Sequence, residues 1–553
     1  MAWYDEAIFY HIYPLGMTGA PKINTYGQPQ HRLNTLLPFI SQIKKLGCNA
    51  LYIGPLLESV GHGYETTDYK KLDTRLGTNE DLTEFVSRCH KEGIRVVLDG
   101  VFNHTGRDFF AFQDIKKNRE LSSYKDWYCN VNFYGNNEYN DGFSYDNWGG
   151  YDLLVKLNQH NPQVREYISD VIRFWVKEFD IDGIRLDAAD VLDFSYMQML
   201  RQVANEVKPD FWLMGEVIHG DYIRWVNEDT LHCVTNYHLH KALYSGHNDH
   251  NYFEIAHTVK RLYEMGGNKP GGLKLYNFAD NHDLERIYTK LSDKRHFTPL
   301  HILLYTLPGV ASLYYGSEFG IEGKKEYGSD DSLRPAISYE EYIKATDNND
   351  LTNLISRLGK IRTEEKALSY GGYKELFLTN CQYAFSREYN GKVVIVTVNN
   401  SDSDFTISLP SQNTKTYVGG IYGTEAPVTD GHISVNIKAN SGEIWLPLCQ
   451  KEERSAPIET DAEEKKNQRF EALAEGLKVE NHPDANWESI LEKLETNEEK
   501  STGKTFEEMT VEELQEAILE KMKQNGPVTE QMKKDVMENV YHNSLVTWVK
   551  SFI

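Results

Sequence analysis

From the N-terminus to about residue 366, short apolar runs alternate with stretches whose apolar residues recur every three or four positions. IKKLGCNALYIGP reads as the end of a helix, a glycine turn and a strand. EDLTEFVSRCHKEGIRVVLDGVFNH repeats that pattern, as do VREYISDVIRFWVKEFDIDGIRLDAAD and FSYMQMLRQVANEVKPDFWLMGEV. Strands joined by helices imply a parallel sheet with right-handed crossovers. Repetition of the unit through residues 1–105 and 159–366 predicts an α/β fold, a closed (β/α)8 TIM barrel. The doubly wound open sheet is the alternative, but its glycine fingerprint after the first strand is missing.

Three changes of pattern divide the rest. Residues 106–158, with KDWYCNVNFYGNNEYNDGFSYDNWGGYD, are rich in Tyr, Trp, Asn, Asp and Gly and carry no sustained helical period; they read as an excursion from the third barrel strand. After Ala367 come seven short strands, YKELFLTN, QYAFSREY, KVVIVTVNN, DFTISLP, KTYVGGIY, HISVNI and GEIWLPL, predicting an antiparallel β-sandwich over 367–450. Residues 451–553 hold 24 acidic against 14 basic residues and read as an acidic linker plus a helical extension. Thr510 before VEELQEAILEKMKQ is a candidate N-cap, and TEQMKKDVMENVYHNSLVTWVKSF has helical periodicity. The extension is expected to dock on the enzyme, on a second copy or on another protein.

A chain of 553 residues exceeds one hydrophobic core, and 40% apolar residues mark it as globular. Its formal charge of −23 argues against nucleic acid or an anionic membrane as partner, since Lys and Arg bind both. No run is long enough to span a bilayer, and the start MAWYDEAIFYHIYP has no export signal. Cys48, Cys89, Cys129, Cys233, Cys381 and Cys449 are scattered without a CxxC pair, so no disulfide framework or metal site is expected and the cytoplasm is the natural compartment.

The candidate chemistry lies at strand ends. In DGIRLDAADV, Arg185 and Asp187 share the face opposite Ile184 and Leu186, and buried ions need partners. In a parallel barrel, inward side chains converge at the carboxyl ends of the strands. Asp99, Arg185, Asp187, Glu216, His282 and Asp283 all follow apolar strands in that position, which surrounds one cavity with carboxylates. Two close carboxylates of different protonation are what retaining glycoside hydrolysis requires, one attacking as an anion and the other donating a proton. Arg185 is expected to hold Asp187 ionised.

These residues resemble the α-amylase superfamily, glycoside hydrolase family 13. The motifs are HGYETTDY (62–69), DGVFNH (99–104), LVKLN (154–158), GIRLDAADV (183–191), GEV (215–217) and FADNHD (278–283), and the likeness spans about residues 1–450. The resemblance implies Asp187 as nucleophile, Glu216 as acid/base and Asp283 as the third acid. It further implies that Arg185 positions the nucleophile, that His104 and His282 bind hydroxyls, that His62 belongs to the substrate-binding set and that Tyr64 forms a platform under the sugar. Asp330 and Arg334 have the separation of a further sugar-contacting pair. Asp99 and Asn103 are structural supports. No cofactor is required, although Asn103 is either a calcium ligand, as in many amylases, or a side-chain cap. Residues 106–158 match the family's domain B and 367–450 its domain C. FFAFQDIKKNRELSSYKDWY, LVKLN, DAADV and GEVIH look most like the neopullulanase, cyclomaltodextrinase and maltogenic amylase branch. Asp190 and Val191 replace the Lys-His of many α-amylases, and Ala188 favours α-1,4 cleavage by family analogy.

The expected function is a retaining α-glucan hydrolase acting on α-1,4 bonds in maltooligosaccharides or related short glucans. A transglycosylase or isomerase of the same superfamily uses the same residues, and a catalytically silent glycan-binding protein is the alternative from another class. Other features carry blander expectations. His238, His240, His247 and His250 read as a surface helix and loop rather than a metal site, and TGKT (502–505) as a solvated turn. Trp127, Tyr145 and Trp148 either line the cleft or pack the excursion's core.

Overall fold

The computed structural model describes residues 2–267, 269, 271–411, 414–448 and 510–525. The chain divides into two units, Met1–Glu452 and Glu453–Ile553.

In the first unit eight parallel strands close into a barrel: β1 (Ile8–Ile12), β2 (Ala50–Ile53), β3 (Arg95–Gly100), β4 (Gly183–Leu186), β5 (Trp212–Gly215), β6 (Cys233–Thr235), β7 (Leu275–Phe278) and β8 (Val310–Tyr314). Each pairs with its neighbours in sequence, and β8 returns to β1. The connecting helices form where the sequence supplies caps and an apolar stripe. The helix Pro162–Phe179 starts with Asn161 accepting from the Gln163 and Val164 amides, has Pro at its first position and stops at Asp180 in the left-handed conformation. Val164, Ile168, Val171, Ile172, Trp175 and Phe179 form its buried face. The helix Asn79–Lys91 has a capping box of Thr78 and Asp81 and is followed by Gly93 at φ +75°. The expected strand–helix rhythm fails once: β5 and β6 are joined through a single 3-10 turn, Tyr222–Arg224, and two helices, Tyr237–Asn248 and Tyr252–Met265, follow β6 instead.

Two excursions rise from the carboxyl ends of the strands. After β2, Leu57–Ser59 pairs with Thr66–Leu72 in an antiparallel hairpin whose turn is HGYE. After β3, His104–Gly106 pairs with Tyr151–Lys156, which also pairs with Asn147–Trp148. The expectation of no helix in this second excursion is corrected, because Phe110–Asn118 is helical and buries Ala111, Phe112 and Ile115. Two turns are too short to impose a period on the surrounding aromatic text. Trp127 and Tyr145 are core residues here, whereas Trp148 is 38% exposed and lies 5.9 Å from the His104 ring.

Residues 372–447 form an antiparallel ladder of eight strands, one more than the sequence pattern predicts: β9 (Gly372–Leu378), β10 (Gln382–Tyr389), β11 (Lys392–Asn399), β12 (Phe405–Pro410), β13 (Thr416–Gly419), β14 (Glu425–Thr429), β15 (His432–Ile437) and β16 (Ser441–Pro447). Their order is β9-β10-β11-β16-β13-β14-β15-β12. Ile395, Ile407, Tyr417, Ile433 and Trp445 from both halves share one buried cluster, so the ladder folds over its own core as a sandwich. The strand missed from sequence is β14, EAPVT, whose proline reads as a strand breaker.

In the second unit the helix Val511–Asn525 is described, with the Leu514 amide bonded to the Thr510 carbonyl. Residues 451–509 with TGKT, the proposed helix after residue 528, and Cys449 lie outside the described residues. Cys48, Cys89, Cys129, Cys233 and Cys381 are free thiols. Among the described residues no helix is long and apolar enough to cross a membrane.

Candidate active site

Strand register builds the centre of the site. On β4, Arg185 lies beside Asp99 of β3 and Met214 of β5, and Leu186 lies beside Gly215. The ladder continues one residue past the strand ends, through Glu216 N–H to Leu186 O (2.9 Å) and Asp187 N–H to Gly100 O (3.1 Å). Asp187 and Glu216 therefore leave adjacent strands at the same height.

Arg185, 3% exposed, joins the three carboxylates. Its Nη1 donates to Asp99 Oδ1 (2.8 Å) and Asp187 Oδ1 (2.9 Å), and its Nη2 lies 2.9 Å from Glu216 Oε2. One planar guanidinium thus holds both strand-end acids within its own span. Ala188, at φ +47°, turns its amide to Glu216 Oε2 (3.0 Å), and Tyr237 Oη donates to Glu216 Oε1 (3.4 Å). Asp99 also accepts from Tyr52 Oη (2.7 Å) and Tyr64 Oη (3.1 Å), so it is tied wholly to its neighbours.

On the opposite rim, Arg334 donates to Asp283 Oδ1 (2.8 Å), Asp330 Oδ2 (3.0 Å) and the His282 carbonyl (2.8 Å). His282 is stacked between Tyr13 (5.7 Å, 15°) and Tyr64 (5.8 Å, 14°), and its Nε2 meets Tyr64 Oη and, at 3.1 Å, Asp283 Oδ2. His104 is buried against the Tyr64 carbonyl (3.2 Å). His62 is exposed on the rim and shares the field of Arg334, Asp283 and Asp330. Tyr64, Asp99, His104, Arg185, Asp187, Glu216, His282, Asp283, Asp330 and Arg334 therefore belong to one constellation, with His62 on its rim.

Burial pushes Asp187 well above the ordinary carboxylate range; Arg185 opposes this, while Glu216 and Asp99 add to it. Burial also raises Glu216, with Arg185 and the Ala188 amide opposing and Asp283 adding. Arg185 therefore acts on Asp187 in the expected direction, against the burial and the neighbouring carboxylates that raise it. One guanidinium faces three carboxylates, so the two strand-end acids titrate as an interacting pair rather than singly. Burial lowers His104 to about 4 and His282 well below the usual histidine range, so both present neutral rings.

Asn103 is fully buried. Its Oδ1 accepts from Gln159 Nε2 (3.1 Å), its Nδ2 meets His104 Nδ1 (3.2 Å) and its carbonyl accepts from Leu157. Its partners here are amide, imidazole and backbone groups. Among the described residues no three His, Cys, Asp or Glu side chains converge as a metal group. The surface reading of the histidine cluster is corrected: His240 and His247 are buried, each with Nδ1 on a carbonyl, of Ala279 (2.8 Å) and Leu243 (2.6 Å).

Sequence reasoning missed Tyr13, Tyr237 and Glu65. Tyr13 follows β1, where the rule applied to the other strand ends would have found it. Tyr237 begins a helix after β6, and Glu65 sits in a motif already noted, but neither carries a period or spacing that marks it.

An eight-fold barrel whose strand-end carboxylates converge on one arginine is the frame of a glycoside hydrolase. The model of the α-amylase catalytic domain matches residues 33–363. A cyclomaltodextrinase of Thermoanaerobacter pseudethanolicus is 32% identical over 430 residues, 74% of this chain and 72% of that protein. An intracellular maltogenic amylase of Bacillus subtilis is 30% identical over 388 residues, 69% of this chain and 64% of its own length. A solved cyclomaltodextrinase structure superposes with a TM-score of 0.70 at 28% identity, covering 80% of this chain and 78% of that one. The chain belongs to the α-amylase family, in its neopullulanase, cyclomaltodextrinase and maltogenic amylase branch.

Proposed function

We propose that this enzyme hydrolyses α-1,4-glucosidic bonds of maltooligosaccharides and related short α-glucans with retention of configuration. The observation that carries the reading is the Arg185 fork, which keeps Asp187, buried, and Glu216, partly buried, side by side. Asp187 attacks the anomeric carbon while Glu216 protonates the leaving oxygen, giving a covalent glycosyl ester. Glu216 then takes a proton from water as that water releases the sugar. Of the two places for a proton on this pair, Glu216 is productive. Positive charge developing on the sugar ring beside Asp187 favours it, because it stabilises the Asp187 anion. Asp283, held by Arg334, receives ring hydroxyls and adds negative charge for the same transition state, with neutral His282 and His104 as hydrogen-bonding partners. Side chains supply every role in this scheme, so no cofactor enters it. The cytoplasm as compartment is supported by cysteines scattered without pairing motifs. A docking role for residues 451–553, on a second copy or another protein, is supported by their charge and apolar periodicity.

Asp187→Asn is expected to abolish turnover of maltotriose, pullulan and cyclodextrin with the melting temperature preserved. The wild-type enzyme is expected to release the α-anomer first. Substantial activity in Asp187→Asn, or a β-anomer released first, overturns the assignment.

A further inference from the structure

The hydrogen bonds of the HGYE turn assign a role to a residue outside the reacting groups. Glu65 is buried beneath the turn at the tip of the hairpin after β2. Its Oε2 accepts from the Gly63 amide (3.1 Å), and its Oε1 accepts from the His62 amide (3.3 Å) and lies 3.2 Å from His62 Nε2. His62 Nδ1 accepts from the Tyr64 amide (3.3 Å), which leaves Nε2 to carry the ring hydrogen and donate it to Glu65. Both nitrogens of His62 are therefore engaged within its own turn.

Three glycines let the turn and its neighbours pack closely around Glu65. A Cβ at Gly61 would lie 3.0 Å from Glu65 Oε1, and one at Gly106 would lie 2.5 Å from the Glu65 carbonyl. Gly63 holds φ +102°, and a Cβ there would lie 2.2 Å from Pro55 Cγ. The turn is also tied across the site, since Tyr13 Oη donates to the His62 carbonyl (2.5 Å) and the Tyr13 ring covers His282. What the turn presents is Tyr64, whose ring parallels His282 and whose hydroxyl reaches Asp99.

We infer that Glu65 is a positioning residue: it gathers the His62 and Gly63 amides and the His62 ring into one rigid turn and thereby fixes the Tyr64 ring at the mouth of the sugar site. His62 acts in this arrangement through the turn. The inference rests on the α-glucan reading above and deepens it, because a ring displaced by about 1 Å loses its alignment with the bound sugar.

The test is a double-mutant cycle on maltotriose hydrolysis with Glu65→Gln, Glu65→Ala, Tyr64→Ala and the two Glu65–Tyr64 pairs, each checked by thermal melt. Glu65→Ala is expected to lower kcat/KM by about 10-fold to 100-fold. Glu65→Gln, whose amide oxygen still accepts from the turn, recovers part of that loss. In the Tyr64→Ala background the Glu65 changes are expected to cost less than about twofold, because the ring they position is gone. An equal cost in both backgrounds, or Glu65→Ala indistinguishable from wild type, overturns the inference and leaves the α-glucan reading standing. A wild-type enzyme inactive on maltotriose, pullulan and cyclodextrin refutes the α-glucan reading and this inference together.

Discussion

Replacing Arg185 by alanine removes the guanidinium shared by Asp99, Asp187 and Glu216. Its charge opposes protonation at both Asp187 and Glu216, so its loss raises both carboxyls further. Two unit charges about 4 Å apart interact by about 4 kcal/mol at an effective dielectric of 20, equivalent to about 3 pH units. Water entering the vacated space reduces this, and a rise of about 1 to 3 units is expected. The acidic limb of a kcat/KM profile reports ionisation of the nucleophile, and the basic limb reports loss of the acid's proton. Both limbs are therefore expected to move to higher pH in Arg185→Ala, under a much lower ceiling. Arg185→Lys separates charge from geometry: a lysine keeps the positive charge without the fork, so the limbs move less while the ceiling still falls. The assay is initial-rate hydrolysis of maltotriose across pH, with melting temperatures to confirm folding. Limbs that stay in place or move downward in Arg185→Ala would refute the claim that this guanidinium sets the protonation of the pair.

Two further outcomes concern stability. Burial raises the Asp182 carboxyl, but His90 (2.7 Å), the Val96 amide (2.9 Å) and Lys208 (3.1 Å) outweigh it and bring it from 3.8 to about 2. A lowered folded-state value stabilises above the unfolded value, by about 2 kcal/mol here, and that stability is lost as pH falls from about 4 through about 2. Asp182→Asn is expected to remove this acid-sensitive component, so an undiminished loss of melting temperature on acidification counts against it. Gly63→Ala meets both a left-handed backbone and Pro55, and a cost of about 2 to 4 kcal/mol with displacement of Tyr64 is expected. Unchanged melting temperature and unchanged maltotriose turnover in that variant contradict the packing described for the turn.

The barrel was legible because its strands are short, predominantly apolar and separated by amphipathic helices, so two different periods mark the two element types. Where one signal was short or masked the pattern failed. Phe110–Asn118 is too brief to stand out among aromatics, Pro427 hides β14, and the loop after β5 simply lacks the helix that rhythm demands. Acids at strand ends could be located for the same reason as the strands themselves: a polar residue closing an apolar run is visible one residue at a time. Their protonation was not, because it depends on how many carboxylates one arginine must serve, and that number is set by register between strands far apart in sequence.

Register also resolves why an apolar strand should carry Arg185 and Asp187 at all. Alternation sends both side chains into the barrel, where a lone ion would cost several kcal/mol. Pairing with β3 brings Asp99 level with Arg185, and pairing with β5 carries Glu216 to the height of Asp187. Each charge is tolerable only because the two neighbouring strands supply the others, so the folded ladder and the reactive pair stand or fall together. The same geometry sets three carboxylates against one guanidinium, which raises the affinity of the pair for a proton that a leaving oxygen needs. The imbalance that makes DGIRLD odd as a strand is therefore what makes it useful as chemistry.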